Sequence, residues 1–195
     1  MPDLAEDHSI SVEEYLAGEA VAPVRHEYVA GEVFAMAGAT EEHATIALNV
    51  AALLRAHVRG SPCRVYIADM KLRVEPASAF FYPDVFVTCD ARDAPEPLAK
   101  RHARVIIEVL SESTEGYDRG AKFGDYRRLD SLDEYVLIDS RSRSCEVFRR
   151  RPEGWLLDPV PENGRLVLPS IGFECPLDAL YEDVVFVQTE AADTA

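Results

Sequence analysis

The run from Arg104 to Ser113, RVIIEVLSES, constrains the fold more than any other stretch of this 195-residue chain. Val105, Ile106, Ile107, Val109 and Leu110 are apolar on both parities, the pattern of a strand covered on both faces. Such a strand needs packing layers above and below it. Glu108 sits in the middle of the run, and a carboxylate taken out of water without a partner is costly or becomes protonated. The strand therefore calls for a cation close to Glu108.

The flanking sequence supplies the layers. Ser11 to Glu14 has the form of a capping box and predicts a short helix from there. RHEYVAGEVFAMAG alternates around Ala30 and Gly31, which predicts a hairpin with a tight turn. From about Thr40 to Val58, Ala44, Ala47, Leu48, Ala51, Leu54 and Val58 recur at helical spacing before Gly60 and Pro62 end the segment. CRVYIAD, MKLRVEP and FYPDVFVTCD read as three strands of a small sheet, followed by a polar, proline-containing connection. After the Glu108 strand comes a helical stretch from about Glu115 to Leu129, then the strands EYVLIDS and SCEVFRR. WLLDPV, GRLVLPS and EDVVFVQT read as peripheral strands and loops. This order predicts an α/β (α+β) fold, a mixed central β-sheet flanked by helices. No internal repeat or linker divides residues 1–195. The reading is one domain, with a core over about 11–150, C-terminal strands over 151–187 and a mobile tail over 188–195.

A hydrophobic content of 48% is enough for a real core, which excludes the disordered and fibrous classes. No segment approaches the roughly 18 apolar residues of a membrane helix. Asp3, Glu6, Asp7, Glu13 and Glu14 stand where a secretory leader needs a basic start and an apolar middle, so the expectation is a cytoplasmic protein without membrane partners. Cys63, Cys89, Cys145 and Cys175 are widely spaced, with no paired motif and no local histidine. They read as buried thiols, against a zinc site or a disulfide framework. The net charge of −15 argues against a general nucleic-acid binder. Residues 100–151, however, hold twelve Lys/Arg against ten Asp/Glu, a local +2 that leaves −17 for the remainder. That asymmetry permits a basic face on an acidic molecule, although most of the arginines suit solvated surfaces.

On a wheel of about 100° per residue, Phe123, Tyr126 and Leu129 mark the buried face of the helix after the Glu108 strand. Lys122 falls on the same side, with Asp118 and Arg119 at its edges. The bland alternative is a lysine that snorkels to water or pairs with Asp118 one turn away. Upstream, Asp84 in YPDVFV is a second acid set against an apolar strand, or else a cap on the preceding turn. If the two strands are neighbours, Asp84 and Glu108 converge on one divalent cation while Lys122 reaches the same pocket. One or two carboxylates with waters suit Mg²⁺ or Mn²⁺.

These residues together resemble the PD-(D/E)XK nuclease superfamily. YPDVFV, IIEVLSEST, DRGAKFGDYRRL and EYVLIDS look like its branch of small restriction-endonuclease-like proteins, the Uma-two family, over most of the chain to about Arg149. The superfamily's usual lysine stands two residues after the acid, where this chain has Leu110, and Lys122 on the following helix is the position that matches in this branch. The resemblance implies a restriction-endonuclease-like core carrying an N-terminal helix and hairpin. It implies Asp84, Glu108 and Lys122 as catalytic residues, with Mg²⁺ (or Mn²⁺) held by Asp84 and Glu108 and the Val109 carbonyl as a further ligand. It also implies an acid from the N-terminal region. Glu27 matches best, with Glu32 and Asp69 as alternatives. His43 is a candidate for approaching a substrate phosphate or an ordinary helix-end residue. The implied activity is metal-dependent endonuclease cleavage with DNA as the substrate, and a homodimer is compatible with it because cutting both strands takes two sites. The alternatives are a non-catalytic nucleic-acid or protein-binding module that keeps the fold, and a purely structural ion-pair network.

Overall fold

The computed structural model describes residues 9–36 and 38–186. Helix α1 (Val12–Glu19) starts from the capping box: Ser11 Oγ accepts from the Glu14 amide and the Glu14 carboxylate accepts from the Ser11 amide. Strands β1 (His26–Val29) and β2 (Glu32–Ala35) pair antiparallel. Ala30 and Gly31 between them both take positive φ, 49° and 100°, which gives the two-residue turn the twist that paired strands need. Helix α2 (Glu41–His57) is capped by Thr40. Strands β3 (Arg64–Ile67), β4 (Lys71–Val74), β5 (Ala79–Phe81), β6 (Val85–Thr88), β7 (Ala99–Lys100) and β8 (Ala103–Leu110) follow. A helical segment over 115–126 then leads to β9 (Glu134–Asp139), β10 (Cys145–Arg151), β11 (Gly154–Val160), β12 (Arg165–Leu168) and β13 (Phe173–Pro176).

The strands form three sheets. One is six-stranded in the order β11-β10-β9-β8-β6-β3, one is five-stranded in the order β2-β1-β5-β4-β7, and β12-β13 make a separate pair. All neighbours in the six-stranded sheet are antiparallel except β8 and β9, whose parallel pairing requires the helical crossover between them. The architecture is mixed α+β, as the element order implies. The three strands expected to form one small sheet do not: β3 and β6 join the six-stranded sheet, while β4 and β5 join the hairpin. Alternation within a strand reports which faces are covered, not which neighbour covers them.

Strand β8 is buried on both faces. Val105, Ile107 and Val109 pack with Ile46, Val50 and Leu54 of α2 and with Leu166, Leu168 and Tyr181 from the C-terminal region. Ile106 and Leu110 face the other way, toward Leu72, Val74 and Phe81 of the five-stranded sheet and Phe123, Tyr126 and Leu129 of the crossover. Glu108 shares the parity of Ile106 and Leu110 and so points into this second layer. The wheel reading of the crossover holds for its buried face.

Two further expectations need correction. Cys63 and Cys89 are joined by a disulfide. The register pairs Arg64 with Thr88, so the two cysteines stand opposite each other just past the ends of β3 and β6, a proximity that a sequence separation of 26 conceals. Cys145 and Cys175 are the buried free thiols expected of all four. Residues 182–186 of EDVVFVQT form a turn and irregular chain rather than a strand. The tail assigned to 188–195 lies outside the described residues.

A buried polar knot closes the end of β6. The Asp93 carboxylate accepts from Thr88 Oγ1 at 2.7 Å, from the Arg101 amide at 2.9 Å and from the His102 amide at 3.2 Å, and it faces His102 Nδ1 at 2.9 Å. Burial alone would raise its pKa, but His102, Thr88 and the two amides outweigh burial and hold it below the usual carboxylate range. A carboxyl group with a depressed folded-state pKa stabilises above its unfolded pKa, and that stability disappears as pH falls through the folded value. Asp93→Asn is therefore expected to cost about 2 kcal/mol at pH 7. In urea unfolding series, its deficit against the parent should shrink steadily as the pH is lowered below about 4.

Candidate active site

The antiparallel register of β6 and β8 places Val85 opposite Ile107. One step further, Asp84 stands opposite Glu108, with both side chains on the face turned toward the five-stranded sheet. The Asp84 amide donates to Glu108 Oε2 at 3.2 Å, and the Val109 amide donates to Asp84 Oδ2 at 2.7 Å. Two carboxylates on neighbouring strands are thus locked to each other's backbone. The two strands adjoin, the condition on which a shared site depended.

The crossover supplies the cation. It begins as α3 (Glu115–Tyr117), widens into a π turn over Asp118–Lys122 and tightens into α4 (Phe123–Tyr126). A π turn inserts one extra residue into a helical turn, a device frequent at functional sites. Here it leaves both Asp118 and Lys122 buried. Lys122 Nζ lies 3.0 Å from Glu108 Oε1, 3.0 Å from Glu27 Oε1 and 3.6 Å from Asp118 Oδ1. It also sits 5.8 Å from the centre of the Phe81 ring. The Tyr126 hydroxyl donates to Glu108 Oε1 at 2.8 Å. Leu110, where the more usual lysine would stand, is packed in the core.

Glu27 reaches this point because β1 pairs with β5 so that Tyr28 faces Phe80. That register turns Glu27 to the inner side, where its Oε1 also accepts from the Tyr82 amide at 3.3 Å. Of the three upstream acids weighed from the sequence, Glu27 alone joins Lys122. Glu32 is exposed on β2. Asp69 is exposed and pairs with Arg25 at 3.4 Å, rather than with the adjacent Lys71, which donates to the Tyr82 hydroxyl. His43, in the first turn of α2, brings Nε2 within 3.2 Å of Asp84 Oδ2. Asp118 and Tyr126 are the members that sequence reasoning left out. Both were marked, Asp118 by its place four residues before Lys122 and Tyr126 by its place on the same buried face.

Burial dominates the electrostatics. It pushes the Glu108 carboxyl up to about 8, with the charges of Asp84, Asp118 and Glu27 adding to the rise and Lys122 opposing it. Asp118 moves up for the same first reason, again against Lys122. Burial works to lower Lys122, but Glu108, Glu27 and Asp118 outweigh it and hold the ammonium charged well above its ordinary range. His43 is raised as well: burial opposes protonation, and the Asp84 carboxylate overcomes it.

These residues fit a hard divalent cation. The carboxyl groups of Glu27, Asp84, Glu108 and Asp118 gather around Lys122 and His43, so the cluster is built from hard oxygen donors. Asp84 Oδ1 has no hydrogen-bond partner among the described residues, and His43 Nδ1 is buried without one. No group of three or more His, Cys, Asp or Glu side chains in metal-binding geometry occurs among the described residues. A site here would rest on two carboxylates, with backbone, water or substrate oxygens completing the shell, the usual arrangement for Mg²⁺.

The family model "Uma2", described as "Putative restriction endonuclease", matches residues 12–178. Two proteins of Synechocystis sp. are similar along most of their length. "Uncharacterized protein slr1290" is 34% identical over 178 residues, 91% of this chain and 94% of its own. "Uncharacterized protein sll1609" is 32% identical over 151 residues, 76% of this chain and 85% of its own. A crystal structure from Anabaena variabilis, titled as that of "a putative nuclease belonging to DUF820", superposes with a TM-score of 0.73 at 15% identity, covering 90% of this chain and 99% of that one. That likeness speaks to the fold. With most of its length matched by the family model, the chain belongs to the Uma2 family, and its core has the restriction-endonuclease-like fold.

Proposed function

We propose that the chain is a metal-dependent endonuclease that hydrolyses phosphodiester bonds in DNA. The observation that carries this reading is the Lys122 ammonium, held 3.0 Å from both Glu108 and Glu27, with Glu108 in turn accepting from the Asp84 amide. Asp84 and Glu108 would hold Mg²⁺ or Mn²⁺, with the Val109 carbonyl as a further ligand. The ion would supply charge stabilisation at the scissile phosphate and a more acidic bound water. Lys122, a hydrogen-bond donor fixed by two carboxylates, orients the attacking water and stabilises the negative charge that develops. Glu27 acts through Lys122 as a positioning residue. Tyr126 fixes Glu108 from the side away from Asp84. His43 reaches Asp84 from the first turn of α2, a place from which an imidazolium can also meet a substrate phosphate.

Two rivals remain distinct in their consequences. Saturation of Lys122 by three acids favours a structural ion-pair network, in which removing one partner costs stability whatever metal is present. The acidic net charge of −15 favours a binding module that has lost catalysis. The nuclease reading predicts that Lys122→Ala and Glu108→Ala lower Mg²⁺- or Mn²⁺-dependent nicking of supercoiled DNA by at least about 100-fold. Variants that nick as fast as the parent would overturn it. In calorimetric titration, the parent should take up Mn²⁺ and Asp84→Asn should bind it at least about tenfold more weakly. Equal binding would remove Asp84 from the site. On the nuclease and ion-pair readings alike, Lys122→Met leaves buried carboxylates unbalanced and is expected to lower stability by about 3–5 kcal/mol, measured by urea unfolding without metal.

A further inference from the structure

Helix α2 packs on the six-stranded sheet through Ile46, Val50 and Leu54. The opposite side of the helix should be polar if it faces only water. Instead its centre is Leu48, which is 67% exposed. Leu48, Ala52 and Arg55 form one wall of an open groove of about 520 Å³, whose other wall is Val65, Tyr66, Ile67 and Met70 with Asp69 at its rim. Ile67 is itself 52% exposed. The second wall belongs to β3 and the turn after it, and β3 is an edge strand, with β6 on one side only. Apolar side chains thus border an unpaired strand edge, a combination that monomeric proteins normally cover or charge.

The charges on this face select the occupant. Glu41 and Arg55 lie on the outward side of α2, seven residues before and seven residues after Leu48, and both are exposed. Two copies of α2 laid antiparallel and centred on Leu48 would bring Glu41 against Arg55 of the other copy, twice. The same register sets Ala44 against Ala52 and Leu48 against Leu48, where small side chains let the helices approach closely. A face that is its own complement under a two-fold rotation is what a symmetric dimer requires. An unrelated partner would have no need of that symmetry.

We infer that the outward face of α2, with the adjoining groove and β3 edge, binds a second copy of this chain about a two-fold axis through Leu48. Each copy contributes the apolar stripe, and the two Glu41–Arg55 contacts fix the antiparallel register. His43 is turned toward the core side of the same helix, so the dimer leaves both carboxylate clusters intact. The inference stands apart from the proposed hydrolysis, because oligomeric state is measured without DNA or metal.

Sedimentation velocity over a concentration series of the full chain gives the test, with circular dichroism to verify that each variant remains folded. The parent should run as a dimer. Leu48→Glu, Glu41→Arg and Arg55→Glu should each weaken association at least tenfold, while the Glu41→Arg, Arg55→Glu double variant should recover most of the loss by restoring the pair with its signs exchanged. A parent that stays monomeric at every concentration would overturn the inference, and with it a second copy as the occupant of the groove. A dimer insensitive to all three single variants would overturn it too, as would a double variant no better than its components.

Discussion

The ion pair between Lys122 and Glu108 is the interaction on which the arrangement of layers depends. Strand β8 is covered on both faces, so any charge it carries has to be met from an adjoining layer rather than by water. The crossover after β8 meets it. By returning over the strand it left, the chain carries Lys122 back to within 3.0 Å of a glutamate fourteen residues earlier in sequence. Glu27 arrives from the five-stranded sheet at the same distance. One ammonium therefore ties together β8, the crossover and the N-terminal hairpin, three segments that share no continuous backbone ladder. Removing it would free those elements to shift and would leave like charges facing each other in a low-dielectric interior.

The geometry at that point is asymmetric in a chemically useful way. Glu108 has one oxygen committed to Lys122 and Tyr126 and the other to the Asp84 amide. Asp84 lies nearer the surface, with one oxygen held by the Val109 amide and approached by His43. The inner acid is constrained by protein groups, and the outer one keeps an oxygen without a partner among the described residues. Hard cations are bound in this way when a protein supplies two carboxylates and leaves the rest of the shell to water or phosphate.

Much of the fold was legible because its signals are local. The capping box from Ser11 to Glu14, the turn at Ala30 and Gly31 and the span of α2 depend on residues within a few positions of each other. Glu108 was legible for a different reason: a charge within an apolar run is an energetic contradiction that only a partner resolves. What stayed hidden depends on pairing between distant segments. Sequence alternation does not assign β4 and β5 to one sheet and β3 and β6 to another, nor does it bring Cys63 opposite Cys89. The π turn was invisible because a wheel drawn at a fixed angle assumes an unbroken helix. Asp118 accordingly read as a residue at the edge of the buried face, although the widened turn carries it in with Lys122. Leu48 shows the same limit in reverse, since helical spacing marked it as apolar but did not reveal that it faces away from the core.

The central claim is that the acids around Lys122 form a metal centre. Anomalous diffraction from crystals of the full chain soaked in Mn²⁺ tests it most directly. A single strong peak bonded to one oxygen of Asp84 and one of Glu108, with Lys122 alongside and not displaced, is the predicted result. Crystals that take up Mn²⁺ only elsewhere, with the Lys122 contacts to Glu108 and Glu27 unchanged, would contradict it.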